Sequence, residues 1–106
     1  MEKYQTITDL DVWKKSKDLV RNIYEITKGF PQEEMYCLTS QIRKSAISIP
    51  SNVAEGCGRH SQKDTVHFLH IARGSLFELE TQLYIAYDLN YLTKLILDDF
   101  LEKIAD

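Results

Sequence analysis

Apolar residues recur along most of the chain at alternating spacings of three and four, with polar residues between them. From Val12 the row runs Val12, Ser16, Leu19, Ile23, Ile26, Phe30, a coiled-coil-like seam. Trp13, Val20 and Tyr24 widen it into the stripe that a bundle helix buries. Asp9 is the expected N-cap, Asp11 adds negative charge to the first turn, and Gly29 stops the helix after Lys28. Pro31, with Glu33 and Glu34, predicts a short helical turn next.

The second helix runs to about Gly56, with Leu38, Ile42, Ala46, Ile49 and Val53 in phase. Pro50 interrupts it. Proline has no N–H for the carbonyl of Ala46, and its ring crowds that carbonyl, at a cost of about 3 kcal/mol or more. The apolar phase continues across the proline, so one helix kinked at Pro50 is expected instead of two helices meeting there. Ser48 and Ser51 are placed to offer hydroxyls to the disturbed backbone. Gly56 and Gly58 are expected to end the helix in the left-handed cap conformation.

Ser61-Gln62-Lys63-Asp64 resembles a capping box and opens a third helix to about Leu89. One row on it is Val66, Leu69, Ala72, Leu76, Leu79, Leu83, Ala86; a second is Phe68, Ile71, Ser75, Gln82, Ile85, Leu89. A glycine in mid-helix costs about 1 kcal/mol relative to alanine, so Gly74 implies close approach of another helix. Asn90-Tyr91 forms a turn, and Thr93 caps a short fourth helix with Leu92, Ile96, Phe100 and Ile104 on one side. The expected fold is all-α: an antiparallel up-down-up-down four-helix bundle, second helix kinked at Pro50, in one domain over residues 1–106 with residues 1–8 as a tail. Two apolar rows on the third helix, with Tyr84, Tyr87 and Tyr91, exceed what one seam needs. The surplus predicts a second buried surface and hence an oligomer.

The chain has 106 residues, 43% of them hydrophobic and 27% charged, which suits one small domain with a thin core. No apolar run is long enough for a membrane span, and the amino terminus is not a secretory signal. Cys37 and Cys57 form no disulfide framework and are read as reduced, in the cytoplasm. Net charge is −3, which opposes phosphate binding by a lone subunit. The charge is uneven: residues 1–30 hold six Lys/Arg against five Asp/Glu, residues 31–59 three against three, and residues 60–106 four against eight.

The stretch L-T-S-Q-I-R-K-S-A-I-S-I-P-S-N-V-A-E-G-C-G-R, followed by F-L-H-I-A-R-G-S-L-F-E-L-E-T-Q-L, resembles the four-helix-bundle proteins encoded in intervening sequences of bacterial 23S ribosomal RNA genes. The same fold family includes the accessory protein of diversity-generating retroelements. The resemblance runs from about Leu10 to Leu92. It implies a ring-like homopentamer. In the retroelement relatives the matching bundle binds nucleic acid and partners a reverse transcriptase.

The residues that could carry such a role are the cations. Arg43, Lys44 and Arg59 are a candidate phosphate-binding patch, Arg59 lying just before a helix N-terminus. Lys14, Lys15, Lys17 and Arg21 are a second candidate set. Each set has a plainer reading as a solvated helix face, with Arg59 paired to Glu55 one turn before it. The polar residues Gln41, Asn52, Glu55, Glu78, Glu80 and Gln82 read as structural hydrogen-bond partners; Glu78 and Glu80 point to different sides of a helix and make no acid–base dyad. Cys57, His60, His67 and His70 have no standard zinc spacing, so no metal is expected. No phosphate-cradling glycine loop, nucleophile elbow or cofactor motif occurs. The expected function is therefore non-enzymatic and cofactor-free: a homo-oligomer that binds structured RNA, DNA or an RNA–protein complex through repeated basic patches. The alternative is a scaffold with a protein partner, such as a reverse transcriptase, and no direct contact with nucleic acid.

Overall fold

The computed structural model describes residues 7–105, so most of the expected tail, residues 1–6, lies outside the described residues. Four α-helices follow one another: α1 (Asp11–Thr27), α2 (Leu38–Cys57), α3 (Gln62–Asp88) and α4 (Lys94–Ala105). Single 3-10 turns precede α1 (Ile7–Asp9) and α2 (Gln32–Glu34). No strand occurs among the described residues, and the helices form a four-helix bundle about 50 Å long and 20 Å across. No described helix is long and apolar enough to cross a membrane.

The core takes side chains from every helix. Leu19 and Ile23 of α1 meet Ile42, Ala46 and Ile49 of α2, Leu79, Leu83 and Ala86 of α3, and Leu97 and Phe100 of α4. On α1, α2 and α3 these are inward positions of the expected rows, although Val12, first in the α1 row, is exposed; on α4 the buried residue is Leu97 and not the expected Ile96, because Leu97, Phe100 and Ile104 share the face that meets the core. Val66 and Leu69, at the start of the first α3 row, are instead exposed. They lie in the half of α3 that precedes the stretch packed on α4, where fewer helices surround it.

α2 runs unbroken through Pro50, which excludes two separate helices. Beside the apolar core, polar side chains also join it to α3. Ser45 donates to Glu78 at 3.4 Å, the Ser48 and Ser75 hydroxyls meet at 2.8 Å, and Thr65 donates to the carbonyl of Gly56 at 2.8 Å. These pairings run in opposite directions along the two chains, so α2 and α3 are antiparallel. Ser48 is thus taken up by α3 and by Asn52, not by the backbone at Pro50.

Several termini differ from expectation. Leu10, not Asp9, occupies the N-cap of α1, because Asp9 is held in the preceding 3-10 turn. No described glycine has a positive φ. Gly58 ends α2 in a right-handed conformation, its N–H reaching Ala54 and Glu55, and Gly56 is buried inside the helix. Gly56 is there for clearance: a Cβ on it would lie 3.1 Å from the Thr65 carbonyl and 3.2 Å from Phe68 Cβ. The left-handed residue is Asn90, with φ 67°, just after α3. Ser61 caps α3 by accepting from the Asp64 N–H, and Thr93 accepts from the Ile96 N–H at the start of α4.

A clasp closes one end of the molecule. Glu34 accepts from the Leu38 N–H at the start of α2 and from the Tyr91 hydroxyl at 2.8 Å, while the Tyr91 ring tilts against Phe30 at 5.4 Å. The hydrogen bond to the Glu34 carboxylate, reinforced by desolvation and by the charges of Glu34 and Glu33, raises the Tyr91 pKa above 10.0.

Candidate nucleic-acid interface

α1 separates its residues sharply. With Ser16, Leu19, Ile23 and Thr27 buried, the opposite side carries Lys14, Lys17, Arg21 and, just past the helix end, Lys28. Their spacings of three, four and seven keep them within a narrow arc of one helical face. From Lys14 to Lys28 the row is about 21 Å long at the α-helical rise. Asp18 and Glu25 flank it, and pair with Arg21 and Lys28 at 3.2 Å each. Both pairs are highly exposed, so they contribute little to stability.

α2 adds one of its cations to the same edge. The Arg43 guanidinium lies 4.4 Å from the Tyr24 ring centroid, and its Nε donates to Thr27 at 2.9 Å. Lys17 lies over Trp13 at 5.4 Å. The edge therefore sets two aromatic rings, Trp13 and Tyr24, among the cations Lys17, Arg21, Lys28 and Arg43.

The other expected site residues are dispersed. Lys44 is exposed on the outer side of α2, about 100° around the helix from Arg43. Arg59 stands 16 residues beyond Arg43, bound to Glu55 and lying 4.6 Å from the Phe68 ring centroid, so it belongs to the α2–α3 end. Lys15 turns away from the strip and lines a groove of about 540 Å³ with Val12, Leu19, Leu76, Lys103 and Ile104. Thus Lys14, Lys17, Arg21 and Arg43 come together, and Lys15, Lys44 and Arg59 do not join them. Among the described residues, no group of three His, Cys, Asp or Glu side chains is placed to hold a metal ion. The His67 ring packs edge-on to Phe68.

Charge divides along the same lines. α1 and α2 carry six Lys/Arg against four Asp/Glu; α3 and α4 carry four against seven. α3 differs in a second way. Ile71, Gly74, Glu78, Gln82, Ile85 and Leu89 follow one another at spacings of three and four along its flank, the pattern of a helix-packing seam. Yet Ile71, Ile85 and Leu89 are 40%, 43% and 47% exposed, and a Cβ added to Gly74 would meet nothing within 4 Å. Phe77 and Tyr84 are also exposed on this helix.

The sequence profile of the 23S rRNA-intervening sequence protein family matches residues 8–106, nearly the whole chain. The chain belongs to this family. No curated protein matches it. In this 23S rRNA-intervening sequence protein, the sequence reading missed Lys28 and the role of Trp13 and Tyr24 as seats for cations. The step of seven from Arg21 to Lys28 was a usable signal for the first. Nothing local signalled that Arg43 would lie on a ring 19 positions earlier, since that contact depends on how α1 and α2 pair.

Proposed function

We propose that this protein is a non-enzymatic RNA-binding module that works as a homo-oligomer, a ring of five on the family resemblance. The observation that carries the reading is the cationic strip of α1, with Arg43 beside it, on a molecule whose other half is acidic. A subunit of net charge −3 binds phosphate weakly alone. Repetition of the strip around an assembly raises the effective concentration of cations without a new contact. The open seam on α3 supports self-association, since an apolar helix flank with a notch at Gly74 is suited to a neighbouring helix.

The test is a titration of the purified protein with a structured RNA at low and near-physiological salt, with assembly mass followed by light scattering. An assembly that binds, and whose affinity falls steeply with salt, supports the reading. An assembly that binds no nucleic acid even at low salt refutes it. The second reading, a scaffold for a basic protein partner, then takes its place, favoured by the acidic and apolar exterior of α3 and α4.

A further inference from the structure

The proposed RNA face holds two aromatic rings, and rings on such a face commonly serve as stacking platforms for unpaired bases. Here both are already engaged. Trp13 carries the Lys17 ammonium 5.4 Å from its centroid. Tyr24 carries the Arg43 guanidinium at 4.4 Å. Arg43 is held in place: its Nε donates to the Thr27 hydroxyl, which is buried and itself donates to the Ile23 carbonyl at 2.8 Å. A base stacking on the Arg43-covered side of Tyr24 would have to displace a guanidinium and leave its hydrogen-bond partner behind. Both rings are also half-buried.

We infer that this face recognises the phosphate backbone of double-helical RNA and does not bind unpaired bases; the inference rests on the RNA-binding reading above. The exposed cations Lys14, Lys17 and Arg21 of α1, with Lys28 at its C-cap, form a row about 21 Å long. A duplex presents phosphates in a rigid array, roughly twelve over that length at B-form charge density. An unpaired strand offers phosphates at no fixed spacing and must be ordered on binding. The deep, narrow major groove of an RNA stem also denies side chains the base edges, so contacts from a straight helix face fall on the backbone. Binding is then indifferent to base sequence. Its salt slope per subunit is about −2 to −4, for two to four phosphate contacts.

The test compares an RNA hairpin stem, a stem of scrambled sequence, an unpaired uridine homopolymer of equal length, and a DNA duplex, all at low salt. Affinity is read from labelled nucleic acid. Emission of Trp13, the single tryptophan, is read in parallel as the stacking signal. The stem is expected to bind at least about tenfold tighter than the homopolymer, with the scrambled stem unchanged and Trp13 unquenched; base stacking would reverse that order and quench the ring. Tyr24→Leu removes the seat of Arg43 and is expected to weaken stem and homopolymer binding by the same factor, whereas loss of a stacking platform weakens homopolymer binding alone, by about fivefold to a hundredfold. The DNA duplex, a second source of the same phosphate array, is expected to bind within about tenfold of the stem; much tighter DNA binding overturns RNA as the ligand. Homopolymer binding as tight as the stem, with Trp13 quenched, overturns the inference while the RNA-binding reading stands. Binding of none of the four at low salt overturns both.

Discussion

α1 and α3 are both amphipathic bundle helices, yet they treat their outer surfaces in opposite ways. α1 keeps apolar residues inward and places Lys14, Lys17 and Arg21 outward; Val12, at its first turn, is its one large exposed aliphatic side chain. α3 has apolar residues on nearly every side, with Ile71, Phe77, Tyr84, Ile85 and Leu89 in the open. A helix that is apolar all round is one that other protein covers. A helix that is apolar on one side and cationic on the other is finished as a surface. On the proposed reading this contrast is a division of labour, with α1 and Arg43 serving a charged ligand and α3 a neighbouring subunit.

Paired substitutions sharpen the contrast, taken here from the largest expected effect. On α3, Leu79 points inward and is fully buried, so Leu79→Ala costs about 2–5 kcal/mol of stability in denaturant unfolding. Ile85 on the same helix points outward, and Ile85→Ala changes monomer stability by less than about 0.5 kcal/mol. Its effect belongs in assembly mass. On α1, Lys14→Glu, Lys17→Glu and Arg21→Glu together are expected to weaken RNA binding by about a hundredfold or more at low salt, with folding unchanged, because exposed cations on a helix contribute little to stability.

The two helical glycines give a finer test. Gly56→Ala forces a Cβ against the Thr65 carbonyl and is expected to cost about 1–3 kcal/mol. Gly74→Ala meets nothing within the subunit and is expected to stabilise it by about 0.5–1 kcal/mol. If α3 packs against a neighbour at that notch, the same change weakens assembly. Stabilisation of the subunit with stronger assembly would break the comparison.

The smallest expected effect concerns the clasp. A phenol whose pKa is raised on folding stabilises the folded state below its unfolded pKa, near 10, and loses that contribution as pH rises through the folded value. Urea midpoints measured from pH 8 to 11 should therefore fall more for the native protein than for Tyr91→Phe. Equal slopes would show that the hydrogen bond to Glu34 does not persist in solution.

Much of this was legible from spacing alone. The inward rows of α1, α2 and α3 fixed which faces meet, and Ser61 and Thr93 marked where α3 and α4 begin. The errors were local. Asp9 was a sound cap by residue type, but a 3-10 turn claimed it first. Glycine at a helix end suggested a left-handed cap, whereas Gly56 serves the approach of α3, a contact made nine residues away. The candidate site was partly legible for the same reason. Lys14, Lys17 and Arg21 share a face by counting along one helix. Arg43 and Arg59 sit where tertiary packing sends them, one onto α1 and the other towards α3.

The most direct test of the division between α1 and α3 uses two variants side by side: Lys14→Glu/Lys17→Glu/Arg21→Glu, and Ile71→Asp/Ile85→Asp. For each, assembly mass by light scattering and RNA affinity at low salt are measured on the same sample. The account predicts that the first keeps its mass and loses RNA binding. It predicts that the second loses its mass, keeps its helical content, and binds RNA only as weakly as a single strip allows. An α1 variant that binds RNA unchanged, or an α3 variant that assembles unchanged, would contradict it.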